Sequence, residues 1–519
     1  MQLSVIDFIV FFGYCFIILF LGLFIAKRKS TGDSEGYFLA SKSLPWWAIG
    51  TSLIAANISA EQMIGMAGSG FAIGLAIASY EWMAAITLIL VAKYMIPIFL
   101  EKGIYSMPQF LGMRFDERVR AILAIFWLLV YIFVNLTSVL YLGALTMETI
   151  LGFPLTYGII GLAAFAAIYT IYGGLKAVAW TDVVQVVFLV AGGLLTTWLA
   201  LNAFSGGSGA ISGFLKLFET VPGHFEMILS KDHPFYYELP GISVILGGMW
   251  IANISYWGCN QYIIQRALAA KSVAEAQKGL MFAGYLKLLM PIIVVIPGIA
   301  AFGFGVSLLR PDEAYPYMLA EFVPLGLRGL AFAALIAAIA SSLASMTNST
   351  STIFTMDIFR VHFKKDASEK TLVKTGRIVS AVALLIAVLV APQVENFGQA
   401  FQFIQEFTGF VSPGIVAIFL LGLFWKRATP NAAVWAAILT IPLGFALRWL
   451  FPTLPFLDRM GIVFLLLCLL MVVISLYESS GDDPNAIEYK KNLFRTETSF
   501  NIGAIGICAI LSVLYILFW

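Results

Sequence analysis

The sequence predicts an all-α polytopic membrane protein of 14 transmembrane helices. Hydrophobic residues make up 61% of its 519 residues and charged residues only 12%, about half the charged share of a typical soluble domain. The mean hydropathy is +0.92, and the apolar residues fall into runs of the roughly 20 residues that a helix needs to cross a bilayer. A water-soluble domain and a disordered chain are therefore both excluded.

Fourteen runs satisfy this length rule. They are 5–26, 45–73, 76–100, 119–148, 154–173, 181–204, 240–264, 276–307, 328–358, 373–393, 399–425, 430–450, 459–477 and 499–519. The first run is followed, rather than preceded, by positive charge at 27–29, which is the reverse of a signal peptide. We therefore expect it to be a retained first helix.

The distribution of positive charge predicts that both termini lie outside. With that orientation, most of the 31 Lys and Arg residues fall in inner segments, as the positive-inside rule requires. The outer segments carry Lys216, Lys231, Arg310, Arg328, Arg448 and Arg459. We expect a plasma-membrane protein, and in a bacterium one of the inner membrane.

A short internal repeat indicates a transporter. The second run contains the pentapeptide AANIS at 55–59, and the seventh contains IANIS at 251–255. Five spans separate the two copies, so they have opposite orientations in the membrane. Inverted repeats with a broken first helix, binding substrate and ion near the breaks, are typical of secondary transporters. The predicted organisation is a leading helix (1–30), a first five-helix repeat (45–204), an extracellular segment (205–239), a second five-helix repeat (240–425) and three C-terminal helices (426–519).

Several polar residues inside the spans are candidates for a binding site. Asn57 and Asn253 occupy the two pentapeptides, where they either join helices by hydrogen bonds or form a site. Glu81 and Lys287 carry charges whose burial costs about 2.5–3.5 kcal/mol each, so they are expected to pair or to face a cavity. Asp182, at the inner start of its helix, is explained equally well by the helix dipole. Glu61 has no assigned role.

The ninth span contains adjacent hydroxyls, Ser341 and Ser342, in a stretch of small residues. Small residues in a buried helix usually allow close packing. Hydroxyls next to a broken helix also suit a hard cation such as sodium, which prefers oxygen ligands. Both interpretations stay open from composition alone.

These segments together resemble the sodium/solute symporter family, and within it the sodium/sugar cotransporters, including bacterial sodium/galactose members. The resemblance covers nearly the whole chain and is densest at 42–47, 52–62, 77–83, 172–185, 256–266, 341–346 and 404–409. It implies the same fold, with one helix before a five-plus-five inverted repeat.

The resemblance also implies roles for individual residues. The sugar-binding residues would be Gln62, Glu81, Asn253, Lys287 and Gln405. Tyr256 would form the inner gate, its hydroxyl held by Asn57, with Trp257 as a neighbouring wall. Met66, Tyr80 and Phe401 would form the outer gate. Sodium would bind the backbone carbonyls of Ala55, Ile58 and Ala338 and the hydroxyls of Ser341 and Ser342, with Asp182 in support.

This sequence departs from the family pattern at three places. Ala84 stands where the bacterial galactose members have a serine, which puts the preferred hexose in doubt. The outer segment 310–323 is short and is not expected to touch the core. Ala344 and Ser345 supply only half of the second hydroxyl pair that accompanies a second sodium, which predicts one sodium per sugar.

The predicted function is sodium-coupled symport of a hexose, galactose or glucose, by alternating access. A polyol such as myo-inositol is the main alternative substrate, whereas Glu81 would repel a carboxylic acid. A sensor and an uncoupled channel are the alternatives of another class. No enzyme motif, nucleic-acid-binding module or cofactor site is apparent, so we expect sodium, the sugar and membrane lipid as the only partners.

Overall fold

The computed structural model describes residues 4–28, 43–104, 106–397 and 399–519. Within these ranges the regular structure is helical, apart from an isolated parallel bridge between Leu44 and Ala270. The predicted leading segment therefore falls partly outside the described residues, at 1–3 and 29–30, and the predicted first repeat does so at residue 105.

The first half of the chain forms a long series of helices, some continued by π-helical or 3₁₀ turns. They are α1 (Val5–Arg28), α2 (Trp46–Asn57), a π-helix (Glu61–Met66), α3 (Ala67–Ala72), a 3₁₀ turn (Leu75–Ala78), α4 (Ser79–Leu90), a π-helix (Val91–Met95), α5 (Ile96–Lys102), α6 (Met107–Arg114), α7 (Glu117–Val130), a π-helix (Tyr131–Leu136), α8 (Thr137–Leu151), α9 (Leu155–Phe204), α10 (Ala210–Thr220) and a 3₁₀ turn (Pro222–Phe225).

The second half continues in the same way. It contains α11 (Ser243–Leu246), α12 (Gly248–Ile254), a π-helix (Ser255–Cys259), α13 (Gln261–Leu268), α14 (Val273–Gly303), a 3₁₀ turn (Pro311–Glu313), α15 (Ala314–Phe322), α16 (Leu327–Ile353), a π-helix (Phe354–Phe363), α17 (Glu369–Val390), a 3₁₀ turn (Ala391–Phe397), α18 (Ala400–Gly409), α19 (Ser412–Phe424), α20 (Pro430–Leu450), α21 (Phe456–Glu478) and α22 (Thr498–Leu517).

In the described ranges, nine helices are long and apolar enough to cross a membrane, and the pair α18 and α19, bent by 49°, would make a tenth. The other predicted spans coincide with two shorter apolar stretches, Val5–Ile17 and Leu155–Ile168, and with two interrupted helices. The count of 14 remains a prediction. Its interrupted members fail a simple length rule because each half is too short to cross alone.

The first predicted break lies at the expected pentapeptide. Helix α2 ends at Asn57, and Ile58 takes the non-helical angles φ −72°, ψ 85°. A π-helix resumes at Glu61. We call Trp46–Asn57, the π-helix Glu61–Met66 and Ala67–Ala72 together the first broken helix.

The second break lies seven residues beyond Asn253, the position that the pentapeptide repeat suggested. Asn253 is inside α12, where its amide donates to the carbonyl oxygen of Met249, one turn earlier, at 3.1 Å. The chain leaves the helical conformation at Asn260, with φ −83° and ψ 123°. The expectation that Asn253 sits in a break is therefore wrong, because its side chain satisfies its own helix instead of interrupting it.

Helix α9 joins two predicted spans. Its backbone is helical from Leu155 to Phe204, through the stretch that the sequence assigned to an inner loop. A straight helix of this length would measure about 75 Å, more than twice the bilayer core. Two crossings therefore remain the prediction for this segment, with no coil between them.

The outer segment after α14 corrects another expectation. Residues 310–323 were expected to stay clear of the core, yet Asp312 and Tyr315 are 1% and 2% exposed. The 3₁₀ turn Pro311–Glu313 packs against α3, and α15 packs against α14. A short connection between two helices is held close to both ends, so it becomes part of the packed structure.

Two long helices position the site. Helix α14 packs against both halves of the first broken helix and against α4, while α16 packs against α1, α2 and α9. Pro291 in α14 has no N–H to donate to the carbonyl of Lys287, four residues earlier. The backbone of α14 is thus weakened beside its buried charge.

Candidate functional site

A polar cavity lies beside the break in the first broken helix. Its empty volume of about 860 Å³ includes space open to solvent, and it is lined by residues of α2, α4, α7, α12, α14, α18, α19 and the π-helices next to them. All five predicted sugar-binding residues line it: Gln62, Glu81, Asn253, Lys287 and Gln405. The structure therefore brings together side chains that lie more than 340 positions apart in the sequence.

A buried ion pair forms one wall of the cavity. The Nζ of Lys287 lies 2.5 Å from Oε2 of Glu81, and both side chains are almost completely buried. Glu81 belongs to the first turn of α4, where a carboxylate is favoured by the helix dipole. The ammonium also lies 4.9 Å from the ring centroid of Trp257, a cation–π contact. Each charge thus has the partner that its burial requires.

A chain of hydrogen bonds connects this ion pair to the predicted inner gate. Lys287 donates to the side-chain oxygen of Asn57, whose amide donates to the hydroxyl of Tyr256 at 3.0 Å. Tyr262 donates to the same hydroxyl at 2.7 Å. Asn57 is the last residue of α2, so the helix break, the ion pair and Tyr256 are mechanically linked.

Unsatisfied acceptors face the same cavity. Among the described residues, the side-chain oxygens Oε1 of Glu61, Oε1 of Gln62 and Oδ1 of Asn135 are buried without a hydrogen-bond donor, and all three residues line the cavity. Buried acceptors left unpaired cost about 1–3 kcal/mol each. A ligand that offers several hydroxyl donors would satisfy them, and Ala84 in the same lining offers no hydroxyl of its own.

The predicted gate residues divide into two groups. Tyr80 and Phe401 meet edge to face with ring centroids 5.2 Å apart, and Tyr256 and Trp257 do so at 5.0 Å. These four line the cavity. Met66 is fully buried and does not, so this conformation gives it no contact with the cavity.

The cavity also reaches the end of α7 and the start of α19, where Trp127, Val130, Val411 and Ile415 line it. Phe401, which lines it as well, is 1% exposed and packs against Gly65 of the first broken helix. The predicted outer gate is therefore closed in this conformation.

The residues of the predicted sodium site lie where α16 meets the break. Ser341 and Ser342 are buried, and the hydroxyl of Ser342 donates to the carbonyl of Ala56 at 3.4 Å. That carbonyl lies between Ala55 and Ile58, two predicted ligands, and the non-helical Ile58 leaves carbonyls of α2 without their helical donors. Ala338 is one turn before Ser342 on α16. Hydroxyls and freed carbonyls form the oxygen set that suits sodium.

Asp182 and Ser345 are two further residues that the sequence analysis considered together with the sodium site. Asp182 lies in 169–183, where the side chains are outside the described part of the chain. Ser345, the remaining hydroxyl of the incomplete second pair, accepts a hydrogen bond from the Arg266 guanidinium at 2.6 Å.

Sequence reasoning missed a second polar contact at the cavity. The hydroxyl of Tyr131 hydrogen-bonds the side-chain oxygen of Asn260, which forms the second break, and accepts from the backbone N–H of Gln261 at 2.9 Å. Tyr131 stands in an apolar run, where a tyrosine carries no signal of its own. Asn260 lies within the segment 256–266 that carries the resemblance, and this was the available signal.

Comparisons with known proteins agree on one family. The sodium:solute symporter family model matches residues 37–440. A sodium/glucose cotransporter of Vibrio parahaemolyticus is 54% identical over all of this chain and 99% of its own length. Sodium/glucose cotransporter 1 of Ovis aries is 33% identical over 83% of this chain and 70% of its own. Sodium/myo-inositol cotransporter 2 of Homo sapiens is 34% identical over 83% and 68%.

Solved structures share the fold. A sodium-coupled sialic acid symporter in an outward-open, substrate-bound state aligns with a TM-score of 0.81 and 24% identity over 92% of this chain and 99% of its own. Mhp1, a nucleobase-cation-symport-1 family transporter in a closed conformation, aligns with a TM-score of 0.56 and 16% identity over 90% and 98%.

Proposed function

Because the chain belongs to the sodium:solute symporter family, we propose that it carries a hexose, galactose or glucose, into the cell together with sodium, one ion per sugar. It is a transporter and not an enzyme, and sodium is its coupling ion. The observation that carries the choice of a sugar is the composition of the cavity wall. One ammonium, one carboxylate and several amides surround a space with unsatisfied acceptors.

A hexose matches that wall because each of its hydroxyls both donates and accepts. The sugar hydroxyls would donate hydrogen bonds to the unpaired oxygens of Glu61, Gln62 and Asn135. Their oxygens would accept hydrogen bonds from the ammonium of Lys287. A carboxylic acid would have to approach the buried Glu81, and like charges in a dry site repel strongly. A neutral polyhydroxy solute is therefore the best fit to the charges present.

Sodium would act by fixing the first broken helix against α16. The Ser342–Ala56 contact already brings the two elements together, and an ion held by both would stabilise that arrangement. Asn57 and Gln62 flank the same break, so the ion would order them for the sugar. This order of events is alternating access with sodium binding first.

Myo-inositol is the second candidate, favoured by a specific observation. Sodium/myo-inositol cotransporters are among the relatives at 34% identity, and Ala84 makes one side of the cavity less polar. A cyclic polyol presents the same hydroxyl chemistry as a pyranose, so the wall does not separate the two by charge.

The test is competitive uptake in proteoliposomes with an inward sodium gradient. Labelled galactose, glucose and myo-inositol are compared for the wild type and for Gln62→Ala, with Gln277→Ala, a buried glutamine outside the cavity, as the matched control. We expect hexose uptake that depends on sodium and that falls at least tenfold in Gln62→Ala only. If only myo-inositol is taken up, the substrate is the polyol and not a hexose. If both variants lose uptake equally, the cavity is not the sugar-binding site.

A further inference from the structure

A buried carboxyl group lies at the outer gate and has no assigned role. Asp312 sits in the 3₁₀ turn Pro311–Glu313 and is 1% exposed. Its Oδ2 accepts a hydrogen bond from the backbone N–H of Ala400, the first residue of α18, at 3.1 Å. Its Oδ1 is buried without a donor among the described residues.

The same carboxyl touches the outer half of the first broken helix. A Cβ placed on Gly68 would lie 2.6 Å from Oδ1 of Asp312 and 2.8 Å from its backbone nitrogen. Only glycine allows this approach. Nearby, Ser69 donates to the side chain of Gln399 at 3.0 Å. The turn, α3 and the start of α18 therefore meet at one point.

That point lies beside the residues that close the cavity. Phe401 follows Ala400 in the first turn of α18 and packs against Gly65 and Tyr80. An N–H in the first turn of a helix has no partner within the helix, so a carboxylate oxygen there fixes the helix end. Any movement of α18 away from α3 must break the contact with Asp312.

We propose that Asp312 is a positioning residue of the outer gate, which holds the first turn of α18, and with it Phe401, against α3 while the gate is closed. The role rests on the proposed function only in that a substrate passes this gate. The contacts themselves are independent of what the cavity binds.

The proposal predicts a dependence on outside pH. Burial raises the pKa of Asp312 to about 7, opposed by the Ala400 N–H and by Arg310 and reinforced by Glu313. The packed elements carry these other titratable groups: Tyr141 and Glu148 on α8, Glu395 in the 3₁₀ turn Ala391–Phe397, Tyr315, Tyr317 and Glu321 on α15, Glu406 on α18 and Glu61 on the π-helix before α3. Helix α3 itself carries none.

The sign follows from linkage. A carboxyl exposed by gate opening returns toward its ordinary pKa near 3.8, so the closed gate binds the proton more tightly. The proton's contribution to closure therefore decreases as the pH rises above 3.8 and is lost as the pH passes through about 7. Between pH 8 and pH 6 the closed-to-open ratio changes about tenfold. A protonated carboxyl keeps one oxygen as acceptor for Ala400, so the contact survives the change.

The experiment uses a reporter that needs neither sodium nor sugar. Ser69→Cys is introduced into the full chain, and its labelling by a membrane-impermeant maleimide is timed, with the chain lacking Ser69→Cys as the blank for native cysteines. Ser69 is fully buried in the closed arrangement. Asp312→Asn keeps the acceptor without the titration, and Asp312→Ala removes both.

At each pH the labelling rate of the Asp312 protein is divided by that of Asp312→Asn, which cancels the pH dependence of the thiol reaction itself. We expect this ratio to rise about tenfold from pH 6 to pH 8. Asp312→Ala should be labelled faster at pH 6, where the protonated carboxyl still accepts from the Ala400 N–H. A ratio that stays constant with pH, or Asp312→Ala labelled no faster, would overturn the proposal. If Asp312→Ala does not fold, the Asp312-to-Asn ratio alone decides. Failure of hexose uptake with a normal labelling profile would reject only the proposed substrate.

Discussion

Lys287 is the residue on which the site depends. Its ammonium contacts a carboxylate, an amide and an aromatic ring at once. Removing one partner of a buried pair leaves the other charge uncompensated, which costs about 3–5 kcal/mol. The pair is therefore a structural element as well as part of the cavity wall, and its two roles can be separated by mutation.

The first prediction separates them with a double-mutant cycle. Glu81→Gln and Lys287→Met each leave one buried group unpaired, so each should lower the thermal midpoint of the purified protein. The double variant removes both charges and should recover part of that loss. None of the three should transport sugar. Thermal unfolding in detergent and uptake in proteoliposomes are the two measurements.

The control is the ion pair Lys278–Glu497, whose side chains are 31% and 53% exposed. Water already solvates these charges, so Lys278→Met should leave both the midpoint and the uptake unchanged. A double variant as unstable as the sum of its singles would show that Lys287 and Glu81 do not act as a pair.

The second prediction concerns the hydroxyl of Ser342. Ser342→Ala removes one proposed sodium ligand, so sodium should no longer stimulate uptake, while exchange of sugar without sodium should partly survive. Ser351→Ala is the matched control, since Ser351 is a buried serine of the same helix whose hydroxyl has no partner among the described residues. The measurement is the initial rate of sugar uptake at increasing sodium concentration. An unchanged sodium dependence in Ser342→Ala would refute the assignment of Ser342 as a sodium ligand.

At the scale of single residues, buried charges of the site are easier to predict from the sequence than polar contacts that depend on packing. Glu81 and Lys287 stand out because a charge inside a span is costly, and the structure places them together. Tyr131 and Asn260 do not stand out, because a tyrosine among apolar residues and an asparagine near a helix end are common. Their contact depends on how two distant helices pack.

At the scale of elements, the two pentapeptides show how far a repeat can be used. Both contain an asparagine followed by isoleucine and serine, and only Asn57 ends its helix. Asn253 bonds its own helix instead. The choice is made by tertiary partners: Asn57 has Lys287 and Tyr256 to bind. Propensity alone does not decide such a case.

The third prediction tests an interaction between two helices. Asp7 of α1 is fully buried, and its Oδ1 accepts from the N–H groups of Gly326 and Gly329 at the start of α16, at 2.7 and 2.9 Å. Asp7→Ala should lower stability by about 1–2 kcal/mol, as for other lost helix caps, measured as a lower thermal midpoint.

Ser4→Ala is the graded control for that change. The Ser4 hydroxyl donates to the second oxygen of Asp7 at 2.7 Å and accepts from the Asp7 backbone N–H at 3.2 Å. Neither bond reaches α16, so Ser4→Ala should cost less than Asp7→Ala. Equal midpoints for Asp7→Ala and the wild type would show that α1 does not cap α16.

At the scale of the whole molecule, hydropathy predicted an all-helical membrane protein and the approximate limits of its helices. The continuous helix α9 and the bend between α18 and α19 were not predicted, because helix boundaries depend on packing that a hydrophobic run does not record. The outer segment 310–323 was placed outside the core for the same reason. The orientation with both termini outside stays a prediction from charge.

The central claim is that this chain couples sugar entry to sodium. Its most direct test is the plateau ratio of labelled glucose inside and outside proteoliposomes that carry an inward sodium gradient and a negative interior. One sodium ion supplies about 2.3 kcal/mol per 100 mV and about 1.4 kcal/mol per tenfold gradient.

With both forces applied, one-to-one coupling predicts accumulation of more than about a hundredfold. The plateau should fall about tenfold when a tenfold sodium gradient is removed and the potential is kept, and accumulation should be abolished when sodium is omitted. A plateau at which the sugar concentrations inside and outside are equal, together with a sodium current evoked by sugar, would contradict symport and identify an uncoupled channel.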